Sequence, residues 1–171
     1  MAEPAAPKPF LYVVVCAAGI ADGVGKLVAD AQDHGWEVGV IATPTAAQGG
    51  FFDLAAVQTQ TGRVVRSAWR TPADPRPFPP ADAIVVAPAT FNTLNKWAGG
   101  IADTLAVATL CEAYGAGVPV VVLPRVNEEL ARHPAYRDSL RRLRGMGVRF
   151  AEGEFRWEAA TDLLAQGPTD G

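Results

Sequence analysis

The chain has 171 residues, 49% of them hydrophobic and 19% charged, and a formal net charge of -3. A chain of that length buries a core without disulfides or a structural metal, and its acidic balance argues against a nucleic-acid partner, because neutralising phosphates needs a basic surface. The longest apolar run, Phe10 to Ile20, is too short to span a bilayer, and the MAEPAAPKP before it lacks the basic start of a secretion signal, so a soluble cytoplasmic protein with no membrane partner is expected.

Leu11 to Cys16 (LYVVVC) is a continuous apolar run of the kind expected of a parallel strand covered on both faces. Asp22 to His34 has helical apolar spacing at Val24, Leu27, Val28 and Ala31, and Gly35 ends it. Val38 to Ala42 reads as a second strand, and Thr43 to Ala47 as a loop leading into a helix that carries Phe51, Phe52, Leu54 and Val57. A short strand is expected at Val64 and Val65, then a surface loop over Thr71 to Pro80, where five prolines exclude a central strand or a helix interior.

Ala83 to Ala87 reads as a strand stopped by Pro88, followed by helical stretches to Ala98 and from Asp103 to Tyr114. A strand at Val118 to Leu123, a helix over about Ala135 to Arg144, a short strand at Val148 to Phe150 and an amphipathic segment from Glu158 to Leu164 complete the pattern. Seven arginines lie between Arg125 and Arg149; the helical spacing of Arg137, Arg141 and Arg144 favours a solvated face over a site for an acidic partner. Cys16 and Cys111 lack partners at ligand spacing, so both read as core residues and no metal site is expected. We expect a flexible segment over 1–9, one domain over 10–166 and a tail over 167–171.

Strands alternating with helices imply an α/β fold with a parallel sheet and helices on both faces, in which ligands bind beyond the carboxyl ends of the strands. Three loops are selected by that rule: Ala17 to Asp22, Thr43 to Ala47 and Pro88 to Thr93. The first, AAGIADGVGK, can aim backbone N–H groups at an anion, yet satisfies neither GxGxxG nor a P-loop, and a tight turn wants glycine anyway. Thr43 and Thr45 offer hydroxyls to a phosphate or a ribityl chain, or Thr45 caps the next helix. In the third, Pro88, Thr90, Asn92 and Thr93 place polar groups at the crevice.

Pro88-Ala89-Thr90-Phe91-Asn92-Thr93, followed by Lys96, Ala98, Gly100-Ile101, Asp103 and Leu105, resembles the PASANT and K-x-A-x-G-I-x-D-N-L segments of the homo-oligomeric flavin-containing cysteine decarboxylases. This family includes the phosphopantothenoylcysteine and lantibiotic peptide decarboxylases. VCAAGIAD, VIATPTAA and LPRVNEELARHP resemble further family segments, the last with Pro124, Asn127 and Pro134 retained. The resemblance implies a three-layer, flavodoxin-like or Rossmann-like fold that binds FMN, in homotrimers or dodecamers. By position, Ala18, Gly19, Ile20, Thr43 and Thr45 would face the phosphate, and Pro88, Thr90, Phe91, Asn92 and Thr93 the ribityl chain and ring; Asn127 is a candidate substrate-binding residue, or an ordinary helix cap.

The sequence also departs from that pattern. The family's catalytic histidine falls at Asp74, no histidine occurs between His34 and His133, and the flanking Met-Trp pair is Leu130-Ala131. A carboxylate offers a different proton inventory from imidazole near neutral pH. Phe91 stands where the family has a small residue and would stack on or crowd a flavin ring, or fill a subunit contact. His133 reads as a surface or interface residue, and the catalytic residues stay unassigned. The expectation is a flavoprotein with altered redox chemistry on a small molecule or peptide; the alternatives are a catalytically silent flavin-binding regulator and a divergent phosphopantothenoylcysteine decarboxylase.

Overall fold

A computed structural model describes residues 6–167 of the chain. Five strands, β1 (Phe10–Val15), β2 (Glu37–Ala42), β3 (Ala83–Ala89), β4 (Val120–Pro124) and β5 (Arg149–Phe150), form one sheet in the order β2-β1-β3-β4-β5, and every pairing is parallel. That order is the flavodoxin-like one, with its switch point between β1 and β3. Of the expected termini, residues 1–5 and 168–171 lie outside the described residues.

Side chains alternate between two cores because successive residues of a strand point to opposite faces. Leu11, Val13 and Val15 of β1 join the core that holds Val24, Leu27 and Val28 of α1 (Val24–Asp33), Ala46 of α2 (Pro44–Gln48), Val57 of α3 (Leu54–Thr61) and Ala160 of α8 (Ala159–Ala165). Phe10, Val14 and Cys16 join the other, with Leu94 and Trp97 of α4 (Phe91–Gly99), Leu110 of α5 (Leu105–Gly115) and Leu143 of α7 (Pro134–Gly145). The continuous apolar runs in the sequence are this two-sided burial.

The local differences have identifiable causes. The first helix is split: a 3-10 turn, Ala21–Gly23, precedes α1, and a Cβ at Gly23 would lie 2.7 Å from Trp157 Nε1, so glycine there serves close packing. The expected loop at Thr43 to Ala47 is instead α2, with Pro44 at its first position and Thr43 as its cap, while Phe51 and Phe52 precede α3. Val64 and Val65 form no strand; only a bridge from Ile41 to Arg66 occurs there. β3 runs through Pro88 to Ala89 with a register irregularity against β4 and a cis Ala87-Pro88 bond, and the Pro88 carbonyl still accepts from Cys16 N–H at 3.2 Å.

The proline-rich loop packs against the sheet through Phe78, which is buried and tilted against Phe10 and Tyr12 at ring distances of 5.8 and 5.7 Å. A Cβ at Gly39 of β2 would sit 2.9 Å from the Phe78 ring. Gly39→Ala is therefore expected to cost about 1–3 kcal/mol by overpacking, read as a lowered thermal midpoint; an unchanged midpoint would mean that the loop yields freely.

The arginine stretch is mostly tied down. Arg132, Arg141 and Arg144 pair with Glu128, Asp138 and Glu152. Arg142 donates to the Ala98 carbonyl at 3.2 Å, and Arg149 donates to the Leu163 and Gly167 carbonyls at the end of α8. Cys16 is fully buried, whereas Cys111 is only partly so.

Candidate functional site

Beyond the carboxyl ends of β1 to β4 lies a cavity of about 600 Å³, within the range of small-ligand sites. One wall is the turn after β1, with Ala17, Ala18 and Gly19. The start of α2 contributes Thr43, Pro44 and Thr45; the start of α4 contributes Thr90, Phe91, Asn92, Thr93 and Lys96. Opposite stand Thr104 and Val107 of α5 with Arg125, Val126, Asn127 and Leu130, where β4 passes into α6 (Glu128–Ala131).

Nine of the eleven site residues singled out in the sequence therefore line one cavity: Ala18, Gly19, Thr43, Thr45, Thr90, Phe91, Asn92, Thr93 and Asn127. Pro88 does not, being buried inside β3, and Ile20 does not, because it opens the 3-10 turn, where its carbonyl accepts from Gly23 N–H at 3.0 Å. Lys96, Thr104, Val107, Arg125 and Leu130 also line it and were not assigned to the site from the sequence. Arg125 was findable, because the rule that selects loops after strand ends applies equally to β4.

Hydrogen bonding sorts the polar groups into occupied and available ones. Ala18 N–H donates to the Cys16 carbonyl at 3.0 Å, but among the described residues nothing accepts from the N–H groups of Gly19 or Ile20. The Thr43 hydroxyl accepts from Ala46 N–H at 3.3 Å, so Thr43, not Thr45, is the cap. Thr90 caps α4 in the same way, accepting from Thr93 N–H at 3.5 Å. Asn127 caps α6 through Oδ1, which accepts from Leu130 N–H at 2.9 Å and leaves its two amide protons free. Asn92, exposed on the first turn of α4, has no side-chain partner among the described residues, so both ends of its amide are available.

The charges divide similarly. Lys96 is neutralised by Asp103 at 2.6 Å, while Arg125, held by its backbone N–H to the Ala89 carbonyl at 2.8 Å, has no ion pair among the described residues. Burial pushes the Cys16 thiol up, against hydrogen bonds with Thr93 and Thr90 that pull it down. It stays protonated near neutral pH and is no thiolate nucleophile.

No histidine lines the cavity among the described residues. The nearest relation is indirect: His133 stands edge-on to Phe91 at 5.8 Å, with Nδ1 accepting from Ala135 N–H at 3.1 Å. Asp74 lies away from this wall. Its carboxylate accepts from the backbone N–H and hydroxyl of Thr71 at 2.7 and 2.9 Å, which hold it below the usual carboxylate range.

The profile of the Flavoprotein family matches residues 6–164. The chain belongs to the Flavoprotein family. Among solved structures of this kind, the FMN-dependent cysteine decarboxylase TvaF from thioviridamide biosynthesis superposes with a TM-score of 0.77 at 26% identity, over 94% of this chain and 98% of that one. The FMN-dependent cysteine decarboxylase SpaF gives 0.75 at 26%, over 92% and 96%. The coenzyme A biosynthesis bifunctional protein CoaBC of Bacillus subtilis is 40% identical over 87 residues, covering 51% of this chain and 19% of that protein. The chain spans only 18% to 22% of the length of the first three curated relatives. This Flavoprotein chain is thus related to cysteine decarboxylases and to part of larger bifunctional proteins of coenzyme A biosynthesis. Among the described residues, no helix is long and apolar enough to cross a membrane.

Proposed function

We propose that the cavity binds FMN and that the chain carries out flavin-dependent redox chemistry on a small molecule or peptide bearing an anionic group. The observation that carries this reading is the Gly19 N–H, which has no partner among the described residues and lies in one cavity with the free amide of Asn92, next in the chain to the equally unpartnered Ile20 N–H. The sequence at that turn leaves a Cβ-free opening, since nothing lies within 4 Å of where a Gly19 Cβ would be. Backbone donors at a strand-to-helix turn suit a phosphate, and an amide that both donates and accepts suits the alternating edge of a flavin ring.

Bound there, FMN supplies a two-electron acceptor. Arg125 is placed to hold an anionic substrate group, two strands across the sheet from the phosphate turn, about 10 Å at ordinary strand spacing. Asn127 supplies its two amide protons beside that cation, and Phe91 forms an aromatic wall. The reading of altered chemistry rests on the sequence, where Asp74 stands at the place of the family's histidine. An assembly of three chains, or of twelve, and a cytoplasmic location belong to the same reading; light scattering on the purified protein measures the first.

The test is the absorbance spectrum of the protein with added FMN, then anaerobic titration with cysteine-containing peptides. Bound-flavin bands that bleach with peptide identify an enzyme; bands that persist favour the silent flavin binder; failure to take up FMN overturns the reading. Asn92→Asp, which puts a carboxylate in place of an amide, should weaken FMN binding by roughly tenfold, about 1.4 kcal/mol. Equal affinity in mutant and wild type would remove Asn92 from the ring contact.

A further inference from the structure

A second cavity, of about 330 Å³, shares no lining residue with the first and is bordered by Leu105, Ala108, Thr109 and Glu112 of α5. The proline-rich loop brings Arg76 to one wall, and the segment just before it brings Arg66, Trp69 and Arg70. Arg66 donates to the Ala68 carbonyl at 2.9 Å, and Arg70 donates to the Asp74 carbonyl at 2.9 Å. Those contacts are with neutral carbonyl groups and do not neutralise the guanidinium charges. Arg76 makes no side-chain hydrogen bond, and none of the three forms an ion pair among the described residues. Glu112 is the carboxylate on this wall, and Asp74, close behind Arg70 and Arg66, is engaged by Thr71. Three cations against two carboxylates leave an excess of positive charge, in a chain whose net charge is -3.

The loop that presents Arg76 and follows Arg70 directly is held in shape. Its prolines restrict the backbone, Phe78 anchors it in the core, and Tyr12 Oη donates to the Pro79 carbonyl at 2.7 Å. Guanidinium forks on a fixed support match the oxygens of a phosphate, and the indole of Trp69, 56% exposed on the same wall, offers a flat apolar face.

We propose that the proline-rich loop and α5 form a second binding site, separate from the flavin cavity, for a phosphate group, free or carried as an ester on a small aromatic body. This inference stands whether or not the first cavity binds FMN.

Trp69 is its own reporter. The full chain is titrated with inorganic phosphate and with phenyl phosphate at constant ionic strength, by tryptophan fluorescence and in parallel by calorimetry. Saturable binding is expected, with an emission change that vanishes in Trp69→Phe. Arg70→Gln combined with Arg76→Gln should raise the half-saturation concentration by about tenfold or more, with an unchanged thermal midpoint because both side chains are exposed. Tighter binding of phenyl phosphate identifies an ester as the ligand class, and equal binding identifies free phosphate. Undiminished binding in the double variant, or no saturable binding by either method, overturns the site. So does a double variant that changes only the oligomeric mass, which would make a second copy of the chain the occupant.

Discussion

Gly19→Asp is expected to cut FMN affinity by one to two orders of magnitude while leaving the fold unchanged. Residue 19 is exposed, its backbone is not in the left-handed region, and nothing lies within 4 Å of an added Cβ, so the protein itself tolerates a side chain there. Surface substitutions of that kind stay within about 0.5 kcal/mol of wild type. The new carboxylate would face the phosphate that the Gly19 and Ile20 N–H groups are free to bind. Two like charges about 5 Å apart repel by on the order of 3 kcal/mol at an effective dielectric constant of about 20, and solvent at this open turn reduces that figure. Gly19→Ala is the control, with near-normal affinity. Flavin titrations and thermal melts of the three proteins read both quantities; an aspartate variant that binds FMN like wild type would place the phosphate elsewhere.

The sheet was legible because each central strand is buried on both faces, which leaves an unbroken apolar run such as LYVVVC or AIVVA. Boundaries were less legible where two local signals compete. Pro88 reads as a strand stop, yet at a strand end its missing N–H costs no ladder bond and its carbonyl still serves Cys16. Thr43-Pro44 is a cap followed by a first-turn proline, a start signal hidden by the expectation of a loop.

The site was legible to the extent that topology decides it: strand ends on either side of a switch point bring their loops together whatever the loops contain. What the sequence could not show was how each polar group is used. The hydroxyls of Thr43 and Thr90 are engaged in caps, Asn127 is both a cap and a free donor, and the N–H of Ala18 is taken while its neighbours' are not. These distinctions depend on angles and distances a few residues apart, beyond the reach of residue type or spacing. Arg76 shows the same limit, since only the folded loop brings it beside Arg66 and Arg70.

Leu94→Ala is expected to have the largest effect on stability. Leu94 is fully buried in the core shared with Leu110, Val122 and Leu143, and it lies on α4 two residues beyond Asn92. Removing its isobutyl group forfeits the transfer free energy and leaves a void, together about 2–5 kcal/mol, a large part of the 5–15 kcal/mol that holds a typical domain. For a chain of this size the thermal midpoint should fall by roughly 5–15 °C. Leu94→Met, which nearly conserves volume, should lose far less. Because α4 carries the Asn92 amide and the Thr93 wall, loosening it should also weaken flavin binding, and the two losses are linked: ligand at about 100 times its dissociation constant returns about 2.7 kcal/mol to the folded state. Melts with and without FMN should therefore show a smaller flavin-induced rise for Leu94→Ala than for wild type at equal flavin. A midpoint within 2 °C of wild type would mean that α4 is held by Trp97 and the α7 contacts alone; an equal flavin-induced rise would mean that the core and the cavity are uncoupled through α4.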